Sequence, residues 1–224
     1  MIAWPEIDTV LLDMDGTLLD LHFDNHFWCN HLPLHYATLQ GMEQQQAFDL
    51  LHGRYEVLKG TLPWYCLDHW TEELGIDIRQ LKEEVAYLIQ ERPHAIRFLQ
   101  WLKEQGKKRV LITNAHRGSL DLKLRLTRIG DELDTIISSH DYGAPKESPK
   151  FWQSLTEQIN YDSSRALFID DSLSVLRAGK QAGVKHLLHI LHPDSKQPPN
   201  KAAEFPAIHH FGEIVPIASA AIDG

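Results

Sequence analysis

The sequence predicts an α/β protein: an open, mostly parallel sheet with helices on both faces, interrupted by an all-helical insertion. Short continuous apolar runs recur along the chain, as strands covered on both faces require. The stretches between them carry apolar residues at helical spacing, so strand alternates with helix. Residues 20–92 break that rhythm, with helical periodicity and no good strand. At 224 residues the chain suits one domain plus a subdomain. The expected division is a core of residues 1–19 and 93–224 and a helical subdomain of residues 20–92.

The first strand is Thr9 to Leu12, which stops at Asp13-Met14-Asp15-Gly16-Thr17. In the insertion, Leu67, Trp70 and Leu74 mark one helix ended by Gly75. Ile78, Leu81, Val85 and Leu88 mark the next, with Asp77 as N-cap and Gln80 as its capping-box partner. Ile96, Leu99 and Leu102 line a helix that Gly106 can terminate, and a strand follows from Arg109 to Thr113. Leu120 and Leu124 begin a helical face that closes at Ile129-Gly130, before a strand from Thr135 to Ser138. Phe151, Leu155 and Ile159 mark a helix, Ala166 to Ile169 a strand, and Leu173 to Ala182 a helix closed by Gly183. A weaker strand spans Lys185 to Ile190. The tail from His192 onward is rich in Pro and turn residues and yields no element.

Composition narrows the function classes. Lys plus Arg is 22 and Asp plus Glu 31, a formal net charge of −9, which argues against nucleic acid or an anionic membrane surface as partner. A small anionic substrate remains compatible if a metal or a local basic cluster inverts the field. Cys29 and Cys66 are too far apart for a CxxC motif and read as two reduced, buried thiols. Met1 to Glu6 leads directly into a strand-like run with no leader-like pattern. The apolar runs Val110 to Thr113 and Val215 to Ile222 are too short to span a bilayer. A soluble, cytoplasmic protein is expected, as a monomer or small homo-oligomer.

Four short motifs fall at the C-terminal ends of predicted strands, the edge where open α/β sheets bind ligands. In Asp13-Met14-Asp15-Gly16, two carboxylates separated by one residue suit divided labour. Asp13 can act as nucleophile, and Asp15 as acid toward the leaving oxygen and then base toward water. Gly16 permits the sharp turn this needs. Thr113-Asn114 offers a hydroxyl and an amide as phosphate anchors, or a plain helix N-cap. Lys146, in a Pro/Gly loop, can offset phosphate charge. Asp170-Asp171 suits a hard cation such as Mg²⁺, or caps the helix that begins near Leu173. Each bland alternative is respectable alone, but all four motifs share one edge in a consistent order.

Together, Asp13-Met14-Asp15-Gly16-Thr17, Thr113-Asn114, Lys146 and Asp170-Asp171 resemble the four motifs of the haloacid dehalogenase (HAD) superfamily, over residues of about 8 to 190. The resemblance implies a Rossmann-like core with a C1-type cap over residues 20–92. Within that family, Asp at the place of Asp15 marks phosphatases and phosphotransferases rather than dehalogenases. The implied chemistry is Mg²⁺-dependent phosphoryl transfer through an aspartyl-phosphate on Asp13. Thr113, Asn114 and Lys146 would hold the phosphoryl oxygens. Metal ligands would be Asp13, the backbone carbonyl of Asp15, and one carboxylate of Asp170-Asp171. The resemblance points to Asp171 as the direct ligand and Asp170 as acting through water, and the residues alone leave either open.

Phe23 to Trp28, Trp64 to Trp70 and Thr113-Asn114-Ala115-His116 are similar to a narrower group, the bacterial HAD GMP/IMP nucleotidases. That similarity implies a purine nucleoside 5′-monophosphate as substrate; Arg117-Gly118-Ser119 departs from the group's pattern. Sugar-phosphate or phosphoglycolate hydrolysis and a β-phosphoglucomutase-like reaction share the core motifs and stand as alternatives. A non-catalytic HAD-like module is disfavoured, because every residue the chemistry needs is present.

Other features take plainer readings. His22/His26 and His31/His35 are each four apart and could share a helix face, but they read as solvated or substrate-proximal rather than zinc-binding. Of the aromatics Phe23, Phe27, Trp28, Trp64, Tyr65 and Trp70, most read as packing, with one or two free to stack on a base. Arg117, Lys123, Arg125 and Arg128 read as a solvated basic helix face.

Overall fold

The computed structural model describes residues 2–200 and 204–215. Six parallel strands lie in the order β3-β2-β1-β4-β5-β6: β1 Thr9–Leu12, β2 Lys108–Thr113, β3 Thr135–Ser138, β4 Ala166–Asp170, β5 His186–Ile190 and β6 Ala207–Ile208. Every residue of β1 and β4 is buried, which is why their sequences run continuously apolar instead of alternating. The period-2 pleat still shows in which core each side chain joins. Val10, Leu12, Leu111, Leu167 and Ile169 meet Phe98, Leu99, Leu120 and Phe211 on one face. Leu11, Val110, Ile112 and Phe168 meet Phe151, Trp152, Leu155 and Leu176 on the other.

The helices are α1 His22–His26, α2 Leu32–Gln40, α3 Gln44–Leu58, α4 Leu62–Tyr65, α5 Leu67–Leu74, α6 Ile78–Glu84, α7 Ala95–Glu104, α8 Arg117–Leu126, α9 Pro149–Gln158 and α10 Leu173–Gln181. A π-helical turn, Phe27–His31, joins α1 to α2. The first six build a core of their own from Phe23, Phe27, Leu51, Trp70, Ile78 and Leu81, to which α8 contributes Leu122. The chain leaves the sheet and returns to it along one short ribbon. Leu19 pairs antiparallel with Glu91, Asp20 N donates to the Gln90 carbonyl, and Arg92 N donates to that of Leu18. Strand order reverses between β1 and β4, so the crevice at their carboxyl ends opens beneath the helical segment.

Several local expectations are corrected. Helix α8 stops at Leu126, not at Ile129-Gly130. Thr127 is extended, its hydroxyl donates back to the Lys123 carbonyl, and Ile129–Glu132 forms a separate 3₁₀ turn. Asp77 does cap α6, accepting the Gln80 N–H at 3.0 Å, but the reciprocal half of the box is not formed. The described residues of the tail beyond His192 join the fold. They add β6, and the carbonyls at His192 and His209 accept from the buried Arg92 guanidinium. Cys29 is exposed and Cys66 half-buried, both free thiols, so the expectation of burial fails. No helix among the described residues is long and apolar enough to cross a membrane. The run Val215 to Ile222 lies, past Val215, outside the described residues.

Candidate active site

Asp13 extends β1 by one residue, its N–H donating to the Ile169 carbonyl at 3.0 Å, and its side chain is buried at the crevice floor. Gly16 then turns the chain with φ +84°. A Cβ there would lie 2.6 Å from Asp171 Oδ2 and 2.9 Å from Pro193 Cβ, so both the conformation and the space require glycine. Lys146 is almost wholly buried, and its Nζ lies 2.5 Å from Asp13 Oδ1 and 2.7 Å from Asp170 Oδ2. Burial opposes its charge, but the two carboxylates prevail and hold its pKa above the ordinary value.

Asn114 fixes the lysine loop. Its Oδ1 accepts from Lys146 N at 2.8 Å and its Nδ2 donates to Glu147 Oε2, while Tyr65 from the helical segment donates to Glu147 Oε1 at 2.8 Å. Thr113 Oγ1 accepts from Ala115 N, a role that leaves its O–H to donate elsewhere. Neither residue caps α8; His116 does, through Nδ1 and the Gly118 N–H. At β4, Asp170 Oδ1 accepts from Ser172 N at 2.8 Å, and Ser172 rather than an aspartate holds the N-cap position of α10.

Carboxylate oxygens of Asp13, Asp170 and Asp171 lie within 4.8 Å of one another. Burial pushes Asp13 up to about 6, with Asp170 adding to the shift and Lys146 opposing it. Burial, then Asp170 and Asp13, hold Asp171 well above the usual carboxylate range. Asp13 Oδ2 is buried without a hydrogen-bond partner. Three crowded carboxylates carry more negative charge than one lysine offsets, and all-oxygen donors suit a small hard dication, so the residues fit Mg²⁺. The Asp15 side chain stands outside this trio.

Sequence reasoning missed what holds Asp15. Lys123 is not on a solvated face: it is buried, and its Nζ lies 2.6 Å from both Asp15 Oδ1 and Asp24 Oδ2. Lys82, also buried, reaches Asp24 Oδ1 at 2.9 Å and sits over the rings of Phe23 and Phe27. Burial drives Asp15 up to about 6 against Lys123, whereas in Asp24 two lysines overcome burial and pull it down to about 2. A signal was available, since Lys123 follows Leu120 by three and so falls on the inward face of α8. Arg117 and Arg125 do face solvent, paired with Asp141 and Glu83.

Above the floor opens a cavity of about 390 Å³ lined by Asp13, Asp24, Trp28, Trp64, Tyr65 and Lys146, among others. Phe23, Phe27 and Trp70 are packing, as expected of most of the aromatics, but Trp28 and Trp64 line the cavity, stacked with centroids 6.2 Å apart at 29°. The histidine pairs are not drawn into a metal-like cluster among the described residues. His31 contacts Glu84 at 3.0 Å and His22 lies 3.5 Å from Asp194.

Residues 7–183 match the haloacid dehalogenase-like hydrolase family. The chain is 40% identical over 215 residues to the GMP/IMP nucleotidase YrfG of Escherichia coli K12, spanning 96% of this chain and 97% of that one. A HAD phosphatase from Thermococcus onnurineus shares the fold with TM-score 0.77 and 22% identity, over 92% of this chain and 95% of that one. The HAD-hydrolase YfnB from Bacillus subtilis, solved bound to magnesium, shares it with TM-score 0.60 and 22% identity, over 92% and 96%.

Proposed function

The chain belongs to the haloacid dehalogenase-like hydrolase family, and from that premise we propose that it is a Mg²⁺-dependent 5′-nucleotidase for purine nucleoside monophosphates, GMP and IMP foremost. The observation that carries the reading is the convergence of Asp13, Asp170, Asp171 and Lys146 at the floor of a cavity walled by Trp28 and Trp64. The identity to a GMP/IMP nucleotidase supports the choice of substrate.

Asp13 attacks phosphorus in line, forming an Asp13 O–P bond as the ester P–O bond breaks, and Asp15 gives its proton to the departing nucleoside oxygen. Asp15 then takes a proton from water, whose oxygen displaces the aspartyl oxygen, releasing phosphate and regenerating Asp13. A pKa near 6 lets Asp15 serve both turns near neutrality. Lys146 and the Thr113 hydroxyl hold the phosphoryl oxygens, and Asn114 fixes the loop that carries Lys146. Asp13, the Asp15 carbonyl and the Asp170-Asp171 pair would hold Mg²⁺, which would supply charge neutralisation between carboxylate and phosphate. Residues 20–92 act as a cap over the leaving group, with Lys123 joining Asp15 to that cap through Asp24.

The test is kcat/KM for GMP, IMP, AMP, UMP, glucose phosphates and phosphoglycolate, with and without Mg²⁺. GMP and IMP should lead, and EDTA should abolish turnover. A tenfold lead for a sugar phosphate or phosphoglycolate, about 1.4 kcal/mol of transition-state preference, contradicts the nucleotidase reading.

A further inference from the structure

At the wall of the cavity, which His116 lines, three side chains that the phosphoryl chemistry does not use come together from distant parts of the chain. Cys66 belongs to the helical segment, between α4 and α5, whereas His116 precedes α8 and His140 follows β3. One ligand-capable atom of each lies within 4.8 Å of the other two. The two imidazole rings sit edge to face, with centroids 4.9 Å apart at 85°.

The presentation of each group matters as much as the distances. His140 Nε2 is buried with no hydrogen-bond partner. A buried imidazole nitrogen left unused in this way has a lone pair or N–H that a metal ligand would employ. Cys66 Sγ accepts the His69 N–H at 3.5 Å, the kind of contact a metal-bound thiolate keeps. His116 Nε2 also lies 3.5 Å from Asp68 Oδ2, but Asp68 is exposed and its other oxygen is paired with Arg79 at 2.7 Å.

We propose that Cys66, His116 and His140 form a three-donor site for a borderline divalent cation of the Zn²⁺ class. One sulfur and two imidazole nitrogens select such an ion over Mg²⁺, which wants oxygen alone. Binding releases the Cys66 thiol proton to solvent. It also places the remaining His116 proton on Nδ1, which gives up the 3.2 Å contact with the Gly118 N–H. Bonds of about 2.0–2.3 Å draw the three donors slightly closer than they now stand. Cys66 follows Trp64 and Tyr65 directly, and both histidines stand on the sheet side, so the ion ties the aromatic wall of the cavity to the sheet edge. Turnover that requires the two parts to separate is then slowed.

Co²⁺ serves as the probe, added at one equivalent to the Mg²⁺-saturated enzyme. A thiolate-to-cobalt charge-transfer band in the near ultraviolet is expected, lost in Cys66→Ser and in His140→Ala and retained in Asp13→Asn, whose substitution alters only the carboxylate site. Circular dichroism verifies that each variant is folded. Zn²⁺ should slow phosphate release by the parent roughly tenfold, within the usual range of coupling between two sites, and leave Cys66→Ser unaffected at the same concentration. No charge-transfer band in the parent, or a band that survives Cys66→Ser, overturns the site. Equal inhibition of parent and Cys66→Ser overturns the tie between the two parts.

Discussion

The sheet edge and the helical segment each bury a lysine against aspartates, and they arrive there differently. Lys146 lies between Asp13 and Asp170, groups delivered by strand ends whose positions the parallel ladder fixes. Lys82 lies against Asp24 and over two phenylalanine rings, held by packing between α1 and α6 and not by any ladder. At the edge, the charges crowd around one point and burial leaves the carboxylates proton-hungry, with Asp13 near 6. At Asp24, Lys82 of the segment and Lys123 of α8 together outweigh burial, and the carboxylate stays ionised, near 2. The first arrangement holds surplus negative charge that a cation can neutralise, which lets an anionic phosphoryl group approach. The second, with Asp15 counted, sets two lysines against two aspartates, and it stabilises the contact between the two parts.

If that division is right, substitutions at the edge strike chemistry and substitutions in the network strike stability. The largest expected effect is Asp13→Asn, which should lower phosphate release by roughly 10⁴-fold or more, since an amide of the same size cannot attack phosphorus. Thermal unfolding should show the fold retained. Asp15→Asn follows, with a loss of ~10²–10⁴-fold in single-turnover and steady-state rates; a change in Mg²⁺ affinity alone would remove its proton-transfer role. Lys123→Met leaves Asp15 and Asp24 buried without their shared cation and should cost about 3–5 kcal/mol in urea unfolding. Next comes a pH effect. Asp13 has its pKa raised, so protons compete with the metal increasingly as pH falls through about 6. The half-saturating Mg²⁺ concentration should therefore rise about tenfold from pH 7 to pH 5, measured by activity titration. Smallest is Arg117→Ala, which breaks a solvent-facing pair with Asp141 and should cost no more than about 1 kcal/mol.

The same contrast explains what was legible in the sequence. Strands β1 to β5 and the motifs at their ends could be read because a buried parallel strand is a continuous apolar run and its last residue must face the crevice. Strand β6 could not: two residues, Ala207 and Ile208, carry no periodicity, and only pairing with β5 defines them. The end of α8 was misplaced because Gly130 looked like a stop, while Thr127 supplied one earlier by bonding the Lys123 carbonyl. Lys123 itself was read by its charge, although its helical position placed it inward. Cys66, His116 and His140 leave no spacing pattern, since their meeting depends on how the helical segment sits on the sheet.

If the sheet edge handles phosphate while the helical segment chooses the leaving group, Trp64→Ala should separate the two roles. The measurement is kcat/KM for GMP and for a small aryl phosphate in parent and variant. Loss of a stacking surface is worth about 1–3 kcal/mol, so GMP hydrolysis should fall roughly 5- to 150-fold while the small ester changes less than about threefold. Equal losses for both substrates, or an unchanged GMP rate, would contradict the division of labour.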